Sequence, residues 1–360
     1  MMMSKVPRSL VACNIYVSAG GHPSHRELLL GLLGETQEHC RRVNNAKDNA
    51  NSKSTALNPR VVVVHAFRDG PYDRSSFHLA GAPDMVADVG SSLAVNAVQA
   101  LMRLETTDTT TNRVGDQIEV KGRELSGGRH PTVGLVDHVS VLSLDENSRN
   151  NDKNEITGSV AQNIGKSLES VGADVLYYGD AHPSRKELAA VRRESTRFFE
   201  GNKTANDGAR AKDDTNTTHA GQATVGAPQK FVENFNIRLR KGITRKVART
   251  LTESVRECSG KGLPFVEALT LAYGRDQYEV ACNLLDPSVT SSRDIEDRTN
   301  HWEQQQNYRG GDSSSGLIES AYRVGTTTEM CLKALRDVST AEGEMAHNRQ
   351  VLERLQNDFL

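Results

Sequence analysis

The residues best suited to chemistry lie in the segment GGRHPTVGLVDH, residues 127–138. Two glycines lead into His130 and Pro131, and an apolar run that carries Asp137 follows. Proline fixes its own φ and restricts the preceding residue to extended backbone, so the imidazole of His130 is held on a stiff connection. An imidazole at the boundary of a loop and a strand is a candidate proton donor and acceptor near neutral pH. The alternative interpretation is a histidine that only occupies a turn.

Composition argues against several classes of function. Lysine and arginine total 44, aspartate and glutamate total 46, and the net charge is −2, so we expect no basic field for nucleic acid or anionic lipid. The five cysteines are scattered and form no CxxC pair, which argues against a zinc site or a disulfide framework. The apolar run near the start is too short to span a bilayer. We therefore expect a soluble cytoplasmic protein without a metal and without a nucleic-acid or membrane partner.

Three polar segments divide the chain and are predicted to be surface insertions or linkers: 44–58, 145–155 and 201–220. They are rich in turn formers and almost free of large apolar side chains. The third is the longest, so it marks the predicted domain boundary. The expected organisation is an N-terminal subdomain, a linker, a C-terminal subdomain and a charged helical tail, at residues 1–200, 201–220, 221–340 and 341–360.

Hydrophobic periodicity predicts a mixed α/β fold. In the first half we expect strands at 10–17, 60–67, 73–79, 135–142 and 173–177, and helices at 82–104 and 156–171. In the second half we expect strands at 231–239, 265–273, 277–285 and 318–324, and helices at 243–258, 295–305 and from 328 onward. The tail at 342–360 has sparse apolar positions and is predicted to be an exposed helix.

A short internal repeat precedes two predicted helices. The sequences HPSHREL at 22–28 and HPSRKEL at 182–188 both contain Ser-x-x-Glu before an apolar periodic run. This spacing is typical of a capping box, in which the serine and the glutamate bond the first helical amides. We therefore interpret His22 and His182 as structural.

Four motifs resemble those of glutamate formiminotransferases and occur in the same order along the chain. They are the segment from His130-Pro131 through Gly134 to Asp137, the Tyr177-Tyr178-Gly179 run, the Phe235-Asn236-Ile237 run after a glycine-containing strand, and the run from Asn283 to Asp286. The resemblance covers roughly residues 10–340 without the polar insertions. The chain is similar to the formiminotransferase-only form, without the helical cyclodeaminase domain of the bifunctional members.

The resemblance implies two α/β subdomains, each a mixed sheet with helices on its outer face, whose sheets face each other. It also implies a homodimer, with tetrahydrofolate as co-substrate bound in the crevice. The implied reaction moves a formimino group, or a formyl group, between N-formimino-L-glutamate and N5 of tetrahydrofolate.

Residue roles carry over from the same resemblance. The histidine before the shared proline is the family's proton-transfer residue, so His130 would act as general base and then general acid. Asp137 would orient its ring or stabilise its charge. In the segment from Asp69 to Arg74, the guanidinium of Arg74 would hold a substrate carboxylate, with Asp69 and Asp73 beside it.

The resemblance also implies a folate-contacting loop just before the strand that starts at 223–226. Its candidate residues are Gly221, Gln222, Ala223 and Thr224, because glycine-rich backbone can approach a cofactor closely.

Two other functions stay open. Ala19 stands where bifunctional members carry glutamate, Asp73 where asparagine is usual, and residues 213–222 differ from the family loop, so a folate-binding or assembly protein without turnover is the first alternative. The second is a metal-dependent hydrolase that uses some of His65, His78, His130, Asp137 and His138, although their spacing matches no recognised ligand pattern.

Overall fold

The computed structural model describes residues 9–50, 60–110, 132–145, 151–195, 220–306 and 316–359. Within them, six strands form the first sheet: β1 (Val11–Val17), β2 (Val61–Asp69), β3 (Arg74–Gly81), β4 (Val136–Ser143), β5 (Asp174–Gly179) and β6 (Gln222–Ala227). Four strands form the second sheet: β7 (Glu233–Leu239), β8 (Val266–Ala272), β9 (Tyr278–Leu284) and β10 (Ile318–Arg323). The spatial orders are β2-β3-β1-β4-β6-β5 and β10-β7-β9-β8. The predicted mixed α/β class is confirmed.

Helices connect these strands and cover them. They are α1 (His25–Ala50), α2 (Pro83–Thr110), α3 (Asn151–Ser170), α4 (Leu188–Ser195), α5 (Arg245–Val255), α6 (Ser292–Gln305), α7 (Thr328–Asp337) and α8 (Ala341–Asn357). A 3₁₀ turn, Glu257–Ser259, follows α5. The predicted β8–β9 hairpin forms as an antiparallel pair.

The two faces of the first sheet differ because side chains alternate along each strand. In β1, Cys13 and Ile15 are fully buried in the main core, which α1, α2 and α3 share with the sheet. Asn14 and Tyr16 lie on the opposite face. This opposite face carries most of the buried polar side chains of the sheet.

The second sheet repeats this division. Phe235, Ile237 and Leu239 of β7 pack in a separate apolar core with α5 and α6, and the residues between them are polar. Contacts join the polar faces of the two sheets, since the hydroxyl of Tyr16 donates to Oδ1 of Asn234 at 3.0 Å. The expectation that the two sheets face each other over their whole area stays a prediction.

The change from the first sheet to the second does not occur at the expected boundary near 200–221. Strand β6 follows that boundary, yet it pairs in parallel with β4 and with β5. Helix α7 also returns to the first sheet, where Cys331 and Ala334 pack with Ala12 and Val62. Sequence order therefore does not separate the two sheets cleanly.

The expected exposed tail is instead a docked helix. Val351 and Leu355 of α8 are buried in the main core. Nε2 of His347 is 2.9 Å from the carbonyl oxygen of Val63, and the backbone N–H of Arg68 donates to Asp358 at 3.1 Å. Both backbone groups belong to β2, the edge strand of the sheet, so α8 satisfies hydrogen-bonding groups that an edge strand would otherwise expose.

Two of the expected insertions begin or end inside helices. Helix α1 continues through residue 50, and the amide side chain of Asn44 makes two hydrogen bonds with the backbone of Val61, at 2.9 and 3.0 Å. Helix α3 begins at Asn151, inside the second segment. Most of the third segment lies outside the described residues.

The expected capping boxes are replaced by histidine side chains in the described residues. The backbone N–H of Ser24 donates to Nδ1 of His22 at 3.3 Å, and that of Ser184 donates to Nδ1 of His182 at 3.0 Å. In each turn, Nδ1 of the histidine accepts a hydrogen bond from the backbone N–H of the serine two residues later. His22 and His182 therefore accept the hydrogen bond from the serine amide that was predicted to go to the glutamate.

The segment Pro83–Leu104 of α2 is long and apolar enough to cross a membrane by length and composition, and half of it is buried inside the protein. Its apolar residues, including Val89 and Leu93, belong to the main core, and the close packing at Gly90 brings α2 against Ile164 of α3. Such packing is what a buried core helix shows.

We predict that Leu355→Ala lowers the free energy of unfolding by about 2–5 kcal/mol, because it removes a fully buried side chain and leaves a cavity. Met345→Ala, on the same helix and 66% exposed, should change it by less than about 0.5 kcal/mol. Urea unfolding of both variants measures the difference. Equal, small effects would show that α8 does not dock.

Candidate functional site

The predicted catalytic His130 and its Pro131 lie outside the described residues. The chain is described again from Thr132, and the backbone N–H of Val133 donates to Oδ1 of Asp137 at 2.9 Å. The end of the His130 segment is thus fastened to the carboxylate that was predicted to support the histidine.

Asp137 is completely buried and held by two guanidinium groups. Its Oδ2 accepts a hydrogen bond from Nη2 of Arg74 at 2.7 Å, and Nη2 of Arg192 lies 3.8 Å away. A buried carboxylate requires such partners, because removing it from water is costly. The predicted supporting residue and the predicted substrate-binding arginine are therefore brought together as an ion pair.

Arg74 is also fixed from a second side. It is the first residue of β3, and its guanidinium carbon lies 4.3 Å from the ring centroid of Tyr16. A cation over an aromatic face is attracted by the ring's quadrupole. The side chain of Arg74 is thus oriented by a ring below it and a carboxylate beside it, at the polar face of the first sheet.

Asp69 and Asp73 shape the β2–β3 turn. Oδ1 of Asp69 accepts from the backbone N–H of Tyr72 at 3.1 Å, and burial raises the pKa of Asp69 to about 6. Asp73 has a φ of 51° and accepts from the backbone N–H of Gly21 at 2.6 Å. Asp69 and Asp73 were predicted to lie beside Arg74, and a carboxylate that bonds its guanidinium is that of Asp137.

The four residues predicted to contact folate have different surroundings. Gly221, with a φ of 69°, forms a bridge with Gly134, and the side chain of Gln222 donates to Asp174 at 3.0 Å. Ala223 points into the main core under the helices. Of these four residues, Thr224 is the one whose side chain lies on the polar face of the first sheet, because side chains alternate along β6.

The hydroxyl of Thr224 is the centre of a polar cluster that the sequence did not reveal. Oγ1 lies 3.0 Å from the carbonyl oxygen of Asp137, 3.1 Å from Nδ1 of His138 and 3.2 Å from Nη2 of Arg192. Arg192 comes from α4, which directly follows the second Ser-x-x-Glu motif. Arg192 and Asp137 are far apart in sequence, so local sequence spacing could not reveal their contact.

Three rings stack beside this cluster. The centroid of His138 is 5.6 Å from that of Tyr16 and 5.5 Å from that of Tyr178, and the second pair is stacked at 22°. Burial raises the pKa of Tyr178, so its phenol stays protonated and can donate. His138 had been considered only as a metal ligand.

His65 and His78 lie farther along the first sheet. The ring of His78 contacts Asn14 through Nδ1 at 2.7 Å and Ser76 through Nε2 at 2.9 Å. Burial lowers the pKa of His78 to about 3 and that of His65 to about 2, so both rings are neutral at pH 7. Across the described ranges, no group of three His, Cys, Asp or Glu residues could hold a metal ion.

The second sheet presents a matching polar group. The carboxylate of Glu279 is fully buried and accepts hydrogen bonds from Asn236 at 2.6 Å, Tyr322 at 2.5 Å and Arg238 at 3.3 Å. The guanidinium of Arg238 lies over the ring of Tyr273 at 3.7 Å. Polar residues at every second position of β7 were the sequence signal for this face.

The two polar faces meet through the β2–β3 turn as well. The rings of Tyr72 and Tyr273 contact edge to face, with centroids 5.1 Å apart. Burial and the neighbouring carboxylate of Glu279 raise the pKa of Tyr72. Tyrosine and acidic side chains therefore connect the second sheet with the β2–β3 turn, the turn that contains Asp69.

A protein-family model matches part of the chain. Residues 116–228 match the Formiminotransferase domain, N-terminal subdomain. A Formiminotransferase cyclodeaminase-like protein of Arabidopsis thaliana is 27% identical over 276 residues, which are 72% of this chain and 78% of that protein.

Among solved structures, the periplasmic protease PqqL from Escherichia coli aligns with 99% of this chain at 11% identity and a TM-score of 0.18. The chain spans 42% of that protein. So low a score carries no argument about fold or function.

We predict that Asp137→Asn lowers the free energy of unfolding by about 3–5 kcal/mol, because it removes the buried negative charge nearest to both guanidinium groups. Asp84→Asn is the matched control, since its exposed pair with Lys47 should contribute no more than about 1 kcal/mol. Urea unfolding at pH 7 compares them. Similar losses would contradict a structural role for the Asp137 pair.

We also predict a pH-dependent effect of Asp69→Asn. Its folded pKa of about 6 is above the unfolded value near 3.9, so the charged form destabilises the fold as pH rises through this window. The variant should therefore gain about 2 kcal/mol of stability relative to the wild type between pH 4 and pH 7. Unfolding curves at both pH values test this, and a difference independent of pH would refute it.

Proposed function

Because residues 116–228 match a formiminotransferase domain and the chain resembles a formiminotransferase cyclodeaminase-like protein, we propose that it catalyses the folate-dependent transfer of a formimino or formyl group between N-formimino-L-glutamate and N5 of tetrahydrofolate. The observation that carries this proposal is the position of the polar cluster. Asp137, His138, Arg192 and Thr224 all lie within the matched residues 116–228, and so does His130.

The chemistry requires a group that accepts and then returns a proton. N5 attacks the amidine carbon of formiminoglutamate, a new C–N bond forms, and the N5 proton leaves. The bond to the glutamate nitrogen then breaks as that nitrogen gains a proton. His130 is proposed to take the first proton and supply the second, since an imidazole titrates near the working pH.

Arg74 is proposed to orient a carboxylate of the substrate. A guanidinium presents its N–H donors in a planar fork that matches the geometry of a carboxylate. Asp137 is proposed to hold two groups in position: the guanidinium of Arg74 and the backbone N–H of Val133 at the end of the His130 segment. Asp69 and Asp73 form the turn that leads into Arg74. This division of roles is supported by the distances among the described residues.

Thr224 is proposed to act on the folate side only through its neighbours, because it is fully buried and its hydroxyl is engaged by Asp137, His138 and Arg192. The backbone of Gly221 and Gln222 is the proposed direct contact. Ala223 is proposed only through its backbone, because its side chain faces the helices. A homodimer, a cytoplasmic location and the absence of a resident metal complete the proposal, and these rest on the family resemblance and on composition.

A folate-binding or assembly protein without turnover is the second candidate. Ala19 favours it, because this residue is fully buried and its carbonyl accepts a hydrogen bond from the hydroxyl of Ser75 at 2.6 Å. The position therefore supplies packing where bifunctional relatives carry a carboxylate.

Titration with tetrahydrofolate, followed by turnover with formiminoglutamate, separates the two candidates. A second assay with 5-formyl-tetrahydrofolate and glutamate tests the formyl reaction. Binding with turnover supports the transferase, whereas binding without turnover in either assay selects the second candidate.

We predict that His130→Ala abolishes transfer, with a loss of at least about 100-fold, while the folate affinity changes little. His301→Ala removes an exposed histidine on α6 and should leave both quantities unchanged. Initial rates and calorimetric titration measure them. Loss of folate binding in His130→Ala would contradict a proton-transfer role and indicate that His130 shapes the ligand site.

A further inference from the structure

Arg68, near the end of β2, binds the C-terminal end of α8. Its backbone N–H donates to Oδ2 of Asp358 at 3.1 Å, and its Nη1 donates to the carbonyl oxygen of the same residue at 2.5 Å. Asp358 is the C-cap of α8, where a cation interacts favourably with the last carbonyl groups of a helix. The guanidinium carbon also lies 4.5 Å from the ring centroid of Phe359, a cation–π contact.

The same guanidinium holds the loop after β1, residues 18–21, which we call the glycine loop. Nε of Arg68 donates to the carbonyl oxygen of Gly20 at 2.7 Å. The backbone N–H of Gly20 donates to Nδ1 of His25 at 2.9 Å. Side chains from β2 and from α1 therefore engage both polar backbone groups of Gly20, which fixes the orientation of the loop.

The glycine loop packs against the turn that leads into Arg74. A Cβ at Gly20 would lie 3.1 Å from the carbonyl oxygens of Asp69 and Arg74, so the two backbones approach closely. The next residue adds a hydrogen bond, because the backbone N–H of Gly21 donates to Oδ1 of Asp73 at 2.6 Å. The loop and the β2–β3 turn are thus one packed unit.

The first residue of the glycine loop reaches the His130 segment. The hydroxyl of Ser18 donates to the carbonyl oxygen of Gly134 at 2.6 Å, and its backbone N–H donates to the carbonyl oxygen of Leu135 at 2.9 Å. Gly134 lies four residues after His130 in the sequence. Ser18 therefore fastens the end of the segment that carries the proposed proton-transfer residue.

We propose that Arg68 is a positioning residue for the transfer reaction, and that through it the geometry of the His130 segment depends on the docking of α8. The connection runs from the C-cap of α8 through the guanidinium to Gly20, and from Ser18 to Gly134. Each step is a hydrogen bond or a peptide link, so the connection is a contiguous physical one. This inference rests on the proposed function and gives the C-terminal helix a part in it.

Loss of Arg68 should affect the rate of transfer more than the binding of substrate. Arg74, the proposed carboxylate-binding residue, has its own anchors in Asp137 and in the ring of Tyr16, and these do not pass through the glycine loop. A perturbed loop therefore acts mainly on the His130 segment, which the proposed mechanism needs for proton transfer.

Hydrogen–deuterium exchange of the full-length protein tests the connection without any activity. In Arg68→Met, peptides covering residues 18–25 and 132–137 should exchange about three- to tenfold faster, the worth of one hydrogen bond. Arg60→Met is the matched control, because it removes an arginine ion pair with Asp48 at 3.0 Å just before the same strand and should leave both peptides unchanged. Arg68→Lys, which keeps the charge without the fork, replaces Arg68→Met should that variant not fold.

Two exchange results would overturn the inference and leave the proposed transferase function untouched. One is unchanged exchange of both peptides in the Arg68 variant. The other is an equal acceleration in Arg60→Met, since that would show a general loosening of the β2 edge.

Steady-state rates with formiminoglutamate and tetrahydrofolate test the positioning role. Arg68→Met should lower kcat about three- to tenfold and keep the KM for formiminoglutamate within about twofold of the wild type. A raised KM with unchanged kcat would overturn the positioning role and indicate a substrate contact. If the wild type shows no transfer, the proposed function falls, and the exchange result alone decides whether α8 acts on the loop.

Ser18→Ala completes a double-mutant cycle, because it removes the hydroxyl bond to Gly134 at the other end of the connection. If Arg68 and Ser18 act in one connection, the loss of kcat in the double variant should be close to the larger single loss. Losses that multiply would show that the two residues act independently and would overturn the inference.

Discussion

The buried carboxylate of Asp137 is the constraint on which the polar face of the first sheet depends. A carboxylate without access to water must be surrounded by donors, and here these come from separate parts of the chain. Arg74 begins β3, Arg192 lies in α4, and Val133 precedes β4. The peptide carbonyl of the same residue holds Thr224 of β6. The side chain and the backbone carbonyl of Asp137 thus fix the relative positions of β3, β4, β6 and α4.

The alternation of side chains along each strand explains why this constraint can exist beside a conventional core. Helices cover one face of each sheet, and the apolar residues there supply the burial that stabilises the fold. The other face is free to carry charges, provided that these are paired. The second sheet uses the same solution with Glu279, Asn236 and Arg238. Both sheets therefore present paired charges and tyrosine hydroxyls toward their contact.

Much of the fold could be predicted from sequence, because strands such as β2 and β9 and helices such as α6 have clear periodicity. The ordered motifs indicated a resemblance to the formiminotransferase family and led to predicted roles for Asp137 and Arg74, but not to their contact. Periodicity could not reveal that Arg192 and Thr224 complete the site, since their contacts depend on tertiary structure. It also missed the docking of α8, whose few apolar residues, Val351 and Leu355, suffice because they fall on one helical face.

The position of α8 has a consequence for how the protein folds during synthesis. The first sheet contains β1 from the beginning of the described chain, while its edge strand β2 is covered by a helix that the ribosome delivers some 280 residues later, from Val63 to His347. Such long sequence separation slows folding. Until α8 emerges, Asn44 of α1 covers the edge of β2 at Val61, while the backbone groups of Val63 and Arg68 are open to other chains, which exposes the nascent protein to aggregation.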